Sequence, residues 1–90
     1  MEINKYRVTQ HAAQRMAQRN LDLGDLAIVL RHGRKRHCAG ATFFFFGEKD
    51  IPARLERKLK RLAGTVIVII GANIITVYRH VGKWGVGSGE

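Results

Sequence analysis

The chain has 90 residues, 46% of them apolar and 26% charged, which excludes a disordered segment and sets one domain with one modest core. Sixteen Lys and Arg stand against seven Asp and Glu, a formal charge of +9 that favours phosphate-rich polymers or an acidic protein as partner. Cys38 is the single cysteine, so an internal disulfide is excluded, and the longest strongly apolar run, Val66 to Ile70, is too short for a membrane helix.

In chain order, residues 1–10 lack the apolar core of a signal peptide, and the expected location is cytoplasmic. Thr9 is suited to cap a helix over Gln10 to Arg19. Helical spacing puts Ala12, Ala13, Met16 and Ala17 on one face and His11, Gln14, Arg15 and Gln18 on the other, with Arg19 at its margin. Asp22 starts a second helix with Asp25 in its first turn. Leu23, Leu26, Ala27 and Leu30 form its apolar stripe, and Gly33 stands at the C′ position.

After Gly33 the period shortens to two. Arg34 to Ala39 and Ala41 to Phe46 read as paired strands, with Phe43 to Phe46 occupying both faces of the second. One Phe pair then needs cover other than the two helices, or forms a surface on which a base can stack. Asp50 is placed to cap a third, basic helix in which Leu55, Leu59 and Leu62 keep helical spacing, with Arg54, Arg57, Lys58, Lys60 and Arg61 outside. Thr65 to Ile70 and Ile74 to His80 are the clearest strands, joined around Gly71, Ala72 and Asn73. In the last of them Ile74, Thr76, Tyr78 and His80 are expected on one face, and Ile75, Val77 and Arg79 on the other.

The predicted fold is α+β: two N-terminal helices on one face of an antiparallel sheet of about four strands, with a short basic helix inserted between the second and third. Residues 1–80 form one domain, and residues 81–90, with four glycines, form a flexible tail.

Three groups of residues carry candidate chemistry. His11, Gln14 and Arg15 share one helix face, and His11 sits in the first turn, where the helix dipole favours a neutral imidazole. A guanidinium beside it is suited to phosphate, although an ordinary solvated helix face has the same composition. The run from Arg31 to His37 holds Arg31, Arg34, Lys35, Arg36 and two histidines in a basic patch, but alternation puts Arg34 and Arg36 on one sheet face and Lys35 and His37 on the other. Thr76, Tyr78 and His80 share a face and offer two hydroxyls and an imidazole as proton carriers or phosphate donors, although the open side of a sheet more simply explains them. No zinc-ligand set, phosphate-binding glycine loop or nucleophile elbow occurs, and no cofactor is expected.

The stretch TQHAAQRMAQRNLDLGDLAIVLRHG, from Thr9 to Gly33, is joined by the ending VIVIIGANIITVYRH, from Val66 to His80. Together they resemble a family of small bacterial proteins of unknown function placed in the barnase–EndoU–colicin–RelE superfamily of toxin-like ribonuclease folds. The resemblance spans about residues 9–80, and the basic segment from Pro52 to Leu62 falls in territory that varies in such proteins. It implies two helices on one face of an antiparallel sheet, with a site where the first helix meets the strands. His11 and Arg15 match the helix motif of that family, and Thr76, Tyr78 and Arg79 match the end motif.

The expected function is an RNA-binding, toxin-like protein that cleaves RNA without a metal ion. His11, Arg15, Thr76, Tyr78 and Arg79 would be at the reaction, and Arg34, Lys35, Arg36, Arg57, Lys58 and Arg61 along the backbone. The alternative is a non-catalytic module that binds nucleic acid or an acidic antitoxin protein. His11→Ala and Arg15→Ala are expected to keep the fold and abolish RNA cleavage by the purified protein in EDTA; undiminished cleavage by both variants removes this site.

Overall fold

The computed structural model describes residues 2–80, which form an α+β fold with three helices and one six-stranded mixed sheet. The strands are β1 (Glu2–Ile3), β2 (Tyr6–Val8), β3 (Arg34–Cys38), β4 (Ala41–Phe46), β5 (Thr65–Ile70) and β6 (Asn73–Arg79), in the order β1-β2-β6-β5-β4-β3. β3, β4, β5 and β6 pair with one another antiparallel, as expected. The expected four-stranded sheet is nevertheless incomplete, because β2 adds in parallel to β6 at Arg7↔Asn73 and Val8↔Ile74. Two or three residues such as EI and YRV are too short to display a period of two, so these strands are set by tertiary pairing.

The first helix, α1 (Gln10–Gln18), begins where that parallel pairing stops. The Thr9 hydroxyl accepts from the Ala12 N–H at 3.2 Å and donates to the Ile74 carbonyl at 2.9 Å, fastening the helix start to β6. Ala12 and Met16 are buried against the sheet. Among the described residues no strand pairs with β6 beyond Ile74 on its β2 side, and α1 runs alongside that open edge.

Helix α2 (Leu23–His32) starts with a reciprocal cap: the Asp25 N–H donates to Asp22 at 2.8 Å, and the Asp22 N–H donates to Asp25 at 3.0 Å. Its buried stripe centres on Leu26 and Val29, so Val29 belongs to it and Leu23, Ala27 and Leu30 lie at its margins. Gly33 ends the helix in extended backbone, with φ at −73°, and not in the left-handed turn that a C′ glycine usually takes. Its requirement is space. A Cβ there would stand 2.5 Å from the Val29 carbonyl oxygen and 2.9 Å from that of Phe45.

The basic insert departs from the expected continuous helix. Asp50 closes a short turn by accepting from the Gly47 N–H at 2.8 Å and pairs with Arg34, so it does not cap the insert. Helix α3 is only Glu56–Leu59, flanked by 3₁₀ turns at Ala53–Leu55 and Lys60–Leu62. Cations three and four apart repel along its outside, which disfavours one continuous α-helix. Leu59 and Leu62 still reach the main core beside Phe44, Phe46, Ile67 and Val77.

β6 carries a bulge opposite Val68 and Ile69 that corrects its predicted alternation. Ile74 and Val77 both enter the helix-side core, while Ile75 and Tyr78 join Phe43, Phe45, Val66 and Val68 on the outer face. The phenylalanines divide as alternation requires, Phe44 and Phe46 inward and Phe43 and Phe45 outward, but Phe45 is buried and Phe43 half-buried, so neither offers an open ring. The predicted flexible tail lies outside the described residues.

Gly33→Ala should lower stability by about 1–3 kcal/mol through overpacking against two carbonyls. Urea denaturation checks this, and an unchanged midpoint would show that the α2–β4 contact yields freely.

Candidate functional site

Where α1 ends beside the open edge of β6, a cleft of about 190 Å³ is lined by Gln18, Arg19, Leu21, Arg61, Thr65, Tyr78 and Arg79. Each enters from a different part of the fold for a local reason. Arg19 follows the last turn of α1, and its Nε–H donates to the Val77 carbonyl of β6 at 3.4 Å. Thr65 opens β5 opposite Arg79, and its hydroxyl is already committed to the Leu62 carbonyl at 2.6 Å. Tyr78 and Arg79 point to opposite faces of β6, yet both line the cleft because it lies at the strand's open edge.

Gly64 shapes the wall beside Arg79. Its N–H donates to the Phe46 carbonyl and its own carbonyl accepts from the His80 N–H, each at 2.7 Å. With φ at +93°, and with a Cβ that would stand 2.9 Å from the His80 oxygen and 3.2 Å from Arg79 Cγ, this position requires glycine.

Arg61 is delivered by the insert and held by the Asp25 carboxylate at 2.7 Å. Asp25 is only 8% exposed in its side chain, whereas Arg61 keeps 55%, so the pair fixes one guanidinium edge and leaves the other available. Three guanidinium groups thus surround the cleft and one carboxylate offsets one of them. The excess positive charge is suited to a tetrahedral oxyanion, which guanidinium forks bind bidentately.

The sequence-predicted residues fall into three places. Tyr78 and Arg79 share the cleft with Arg61. His11 and Arg15 lie together on the outside of α1: Arg15 Nε–H donates to His11 Nε2 at 3.5 Å, an acceptor role open only to an imidazole unprotonated there, and Arg15 Nη1 donates to Gln18 at 3.2 Å. A short chain of side chains therefore runs from His11 to the cleft wall. Thr76 stands on the outer face opposite Val68, away from the cleft lining.

Arg34, Lys35 and Arg36 belong to β3, three strands from β6 and so about 14 Å across the sheet. They divide as alternation predicts, Arg34 over the Phe45 ring at 5.3 Å and Lys35 over Phe44 at 5.9 Å. Arg34 is also paired with Asp50 at 3.3 Å. Arg57 and Lys58 are exposed on the insert. Sequence reasoning placed Arg19 only at the margin of a helix face and left Thr65 unmarked. The signal for Arg19 was its position just past α1; for Thr65 there was none, since its role follows from the strand register.

Among the described residues no three His, Cys, Asp or Glu come together as a metal-binding group. Comparisons with protein-family models, characterised proteins and solved structures return no match to this chain.

Inorganic phosphate, titrated by NMR, should move the amide signals of Arg19, Thr65 and Arg79, and Arg79→Ala should weaken that binding severalfold; shifts confined to β3 would place the anion elsewhere. Arg61→Ala should cost about 1–2 kcal/mol of stability by removing a charge-assisted partner of a buried carboxylate, and thermal denaturation reads it.

Proposed function

We propose that this protein binds single-stranded RNA by its phosphates, seats one of them in the cleft at the end of α1, and cleaves the strand there without a metal ion. The observation that carries this reading is the convergence of Arg19, Arg61 and Arg79 with Tyr78 in one small cleft on a protein of charge +9. The exposed cations Arg57 and Lys58 on the insert and Lys35 and Arg36 on β3 extend the positive surface to neighbouring phosphates. The resemblance of the motifs at Thr9 to Gly33 and Val66 to His80 to a family of unknown function placed among toxin-like ribonuclease folds is a further support.

Cleavage through the 2′-hydroxyl needs four contributions. A base takes the hydroxyl proton, the oxygen attacks phosphorus, the bond to the 5′ oxygen breaks, and an acid protonates that leaving oxygen. Guanidinium groups offset the charge that gathers on the phosphoryl oxygens. Tyr78 lies in the cleft as a proton carrier, and His11 reaches the cleft wall through Arg15 and Gln18.

A specific observation favours a second reading, a binding module without catalysis. His11 precedes Gln18 by seven residues, about 10 Å along the helix axis, so its ring is not among the cleft-lining groups.

Binding of a short single-stranded RNA, measured by fluorescence anisotropy over a range of salt, and its cleavage in EDTA distinguish the two. Arg79→Ala should reduce affinity about tenfold and flatten the salt slope by about one ion. Tyr78→Phe should retain affinity and lose about a hundredfold or more in cleavage. Tight binding with no cleavage by the wild type would select the binding module, and an RNA affinity indifferent to Arg79→Ala would remove the cleft from either reading.

A further inference from the structure

The open edge of β6 presents backbone as well as side chains to the cleft. Along a strand the N–H and C=O of one residue point to the same side, and those of the next residue to the other. Two hydrogen bonds fix the phase of that alternation at this end of β6. The Val77 carbonyl faces the open edge, where it accepts from Arg19 Nε–H at 3.4 Å. The His80 N–H faces β5, where it donates to the Gly64 carbonyl at 2.7 Å. Arg79 stands two residues from Val77 and one from His80, so its N–H and C=O both point to the open edge, where the cleft that it lines is found. Among the described residues no group hydrogen-bonds to either of them.

We propose that this backbone pair reads one nucleotide of RNA: the Arg79 N–H donates to a phosphoryl oxygen held by Arg19 and Arg61, and the Arg79 carbonyl accepts from the 2′-hydroxyl of the ribose bearing that phosphate. The inference rests on the cleft being an RNA phosphate site, and it supplies the contact that separates RNA from DNA. Guanidinium groups hold the phosphates of both polymers alike, whereas only RNA brings a hydroxyl donor to a carbonyl. Donor and acceptor belong to one residue, as the 2′-hydroxyl and the 3′-phosphate belong to one nucleotide. The strand already fixes their spacing, so no side-chain freedom is lost when they engage. Arg19 clears the ground for them: by occupying the Val77 carbonyl it removes an acceptor that would repel an anion at this edge. A peptide strand is the poorer occupant, because one free residue, closed off by Arg19 at Val77, is shorter than the about three residues of even a short strand.

Binding is best measured in the full chain carrying Tyr78→Phe, so that the RNA stays whole. By fluorescence anisotropy, an oligouridylate should bind severalfold more tightly than an oligodeoxyuridylate of the same length. In amide hydrogen exchange followed by NMR, the Arg79 N–H should exchange fast in the free protein, unlike those of Tyr78 and His80, and the oligouridylate should slow it severalfold. Equal affinity for the two polymers, with both weakened by adding Arg79→Ala, would overturn the proposal and leave the phosphate cleft standing. An Arg79 amide that is slow before RNA is added, or that RNA leaves fast, would overturn it as well. Affinities for both polymers indifferent to Arg79→Ala would remove the cleft itself, and this contact with it.

Discussion

The buried Asp25 carboxylate is the interaction on which the working parts of this structure depend. One oxygen accepts the Asp22 N–H and starts α2; the other accepts Arg61 from a segment 36 residues further along. A desolvated carboxylate strongly requires such partners. Because it is tied to the first turn of a helix, it cannot shift to meet a cation that moves. The insert is thereby pinned at Arg61, with Leu59 and Leu62 in the core on one side and its remaining cations outside. A segment whose own charges disfavour helix is kept in a defined place by one ion pair and two leucines.

That arrangement explains how a strongly basic surface acquires a local focus. Most of the cations lie on exposed positions, where solvent screens them and they act as a diffuse attraction. Arg19 and Arg61 differ because each is oriented by a fixed acceptor, the Val77 carbonyl and the Asp25 carboxylate. Orientation before binding lowers the entropy lost when a ligand arrives. Arg34 is oriented too, but by Asp50 and the Phe45 ring, which makes it part of the fold's edge more than of an open anion site.

Much of this was legible in the sequence, and the exceptions have definite causes. The caps at Thr9 and Asp22, the β3–β4 and β5–β6 hairpins and the inward turn of Phe44 and Phe46 are local or alternate strictly, so residue type and spacing sufficed. β1 and β2 escaped because two or three residues display no alternation and β2 is placed by β6, far away in sequence. The bulge at Ile75 escaped because nothing in NIITVYR marks the residue that steps out of register. In the candidate site, Arg61, Tyr78 and Arg79 were named beforehand, but as members of two different groups. Their union with Arg19 and Thr65 is a property of the register Thr65↔Arg79 and of the Asp25 pair, neither of which spacing alone contains.

The parallel pairing of β2 with β6 carries a consequence for how the molecule comes into being. Thr9 is fastened to Ile74 across 65 residues, and the cleft draws on positions from Gln18 to Arg79. Contacts of such long sequence separation form late, after the local hairpins have condensed. A nascent chain emerging N-terminus first therefore carries α1 and α2 long before it has the strand they must lie against. Whatever the cleft does, it begins only after Arg79 has been made and β6 has found β5.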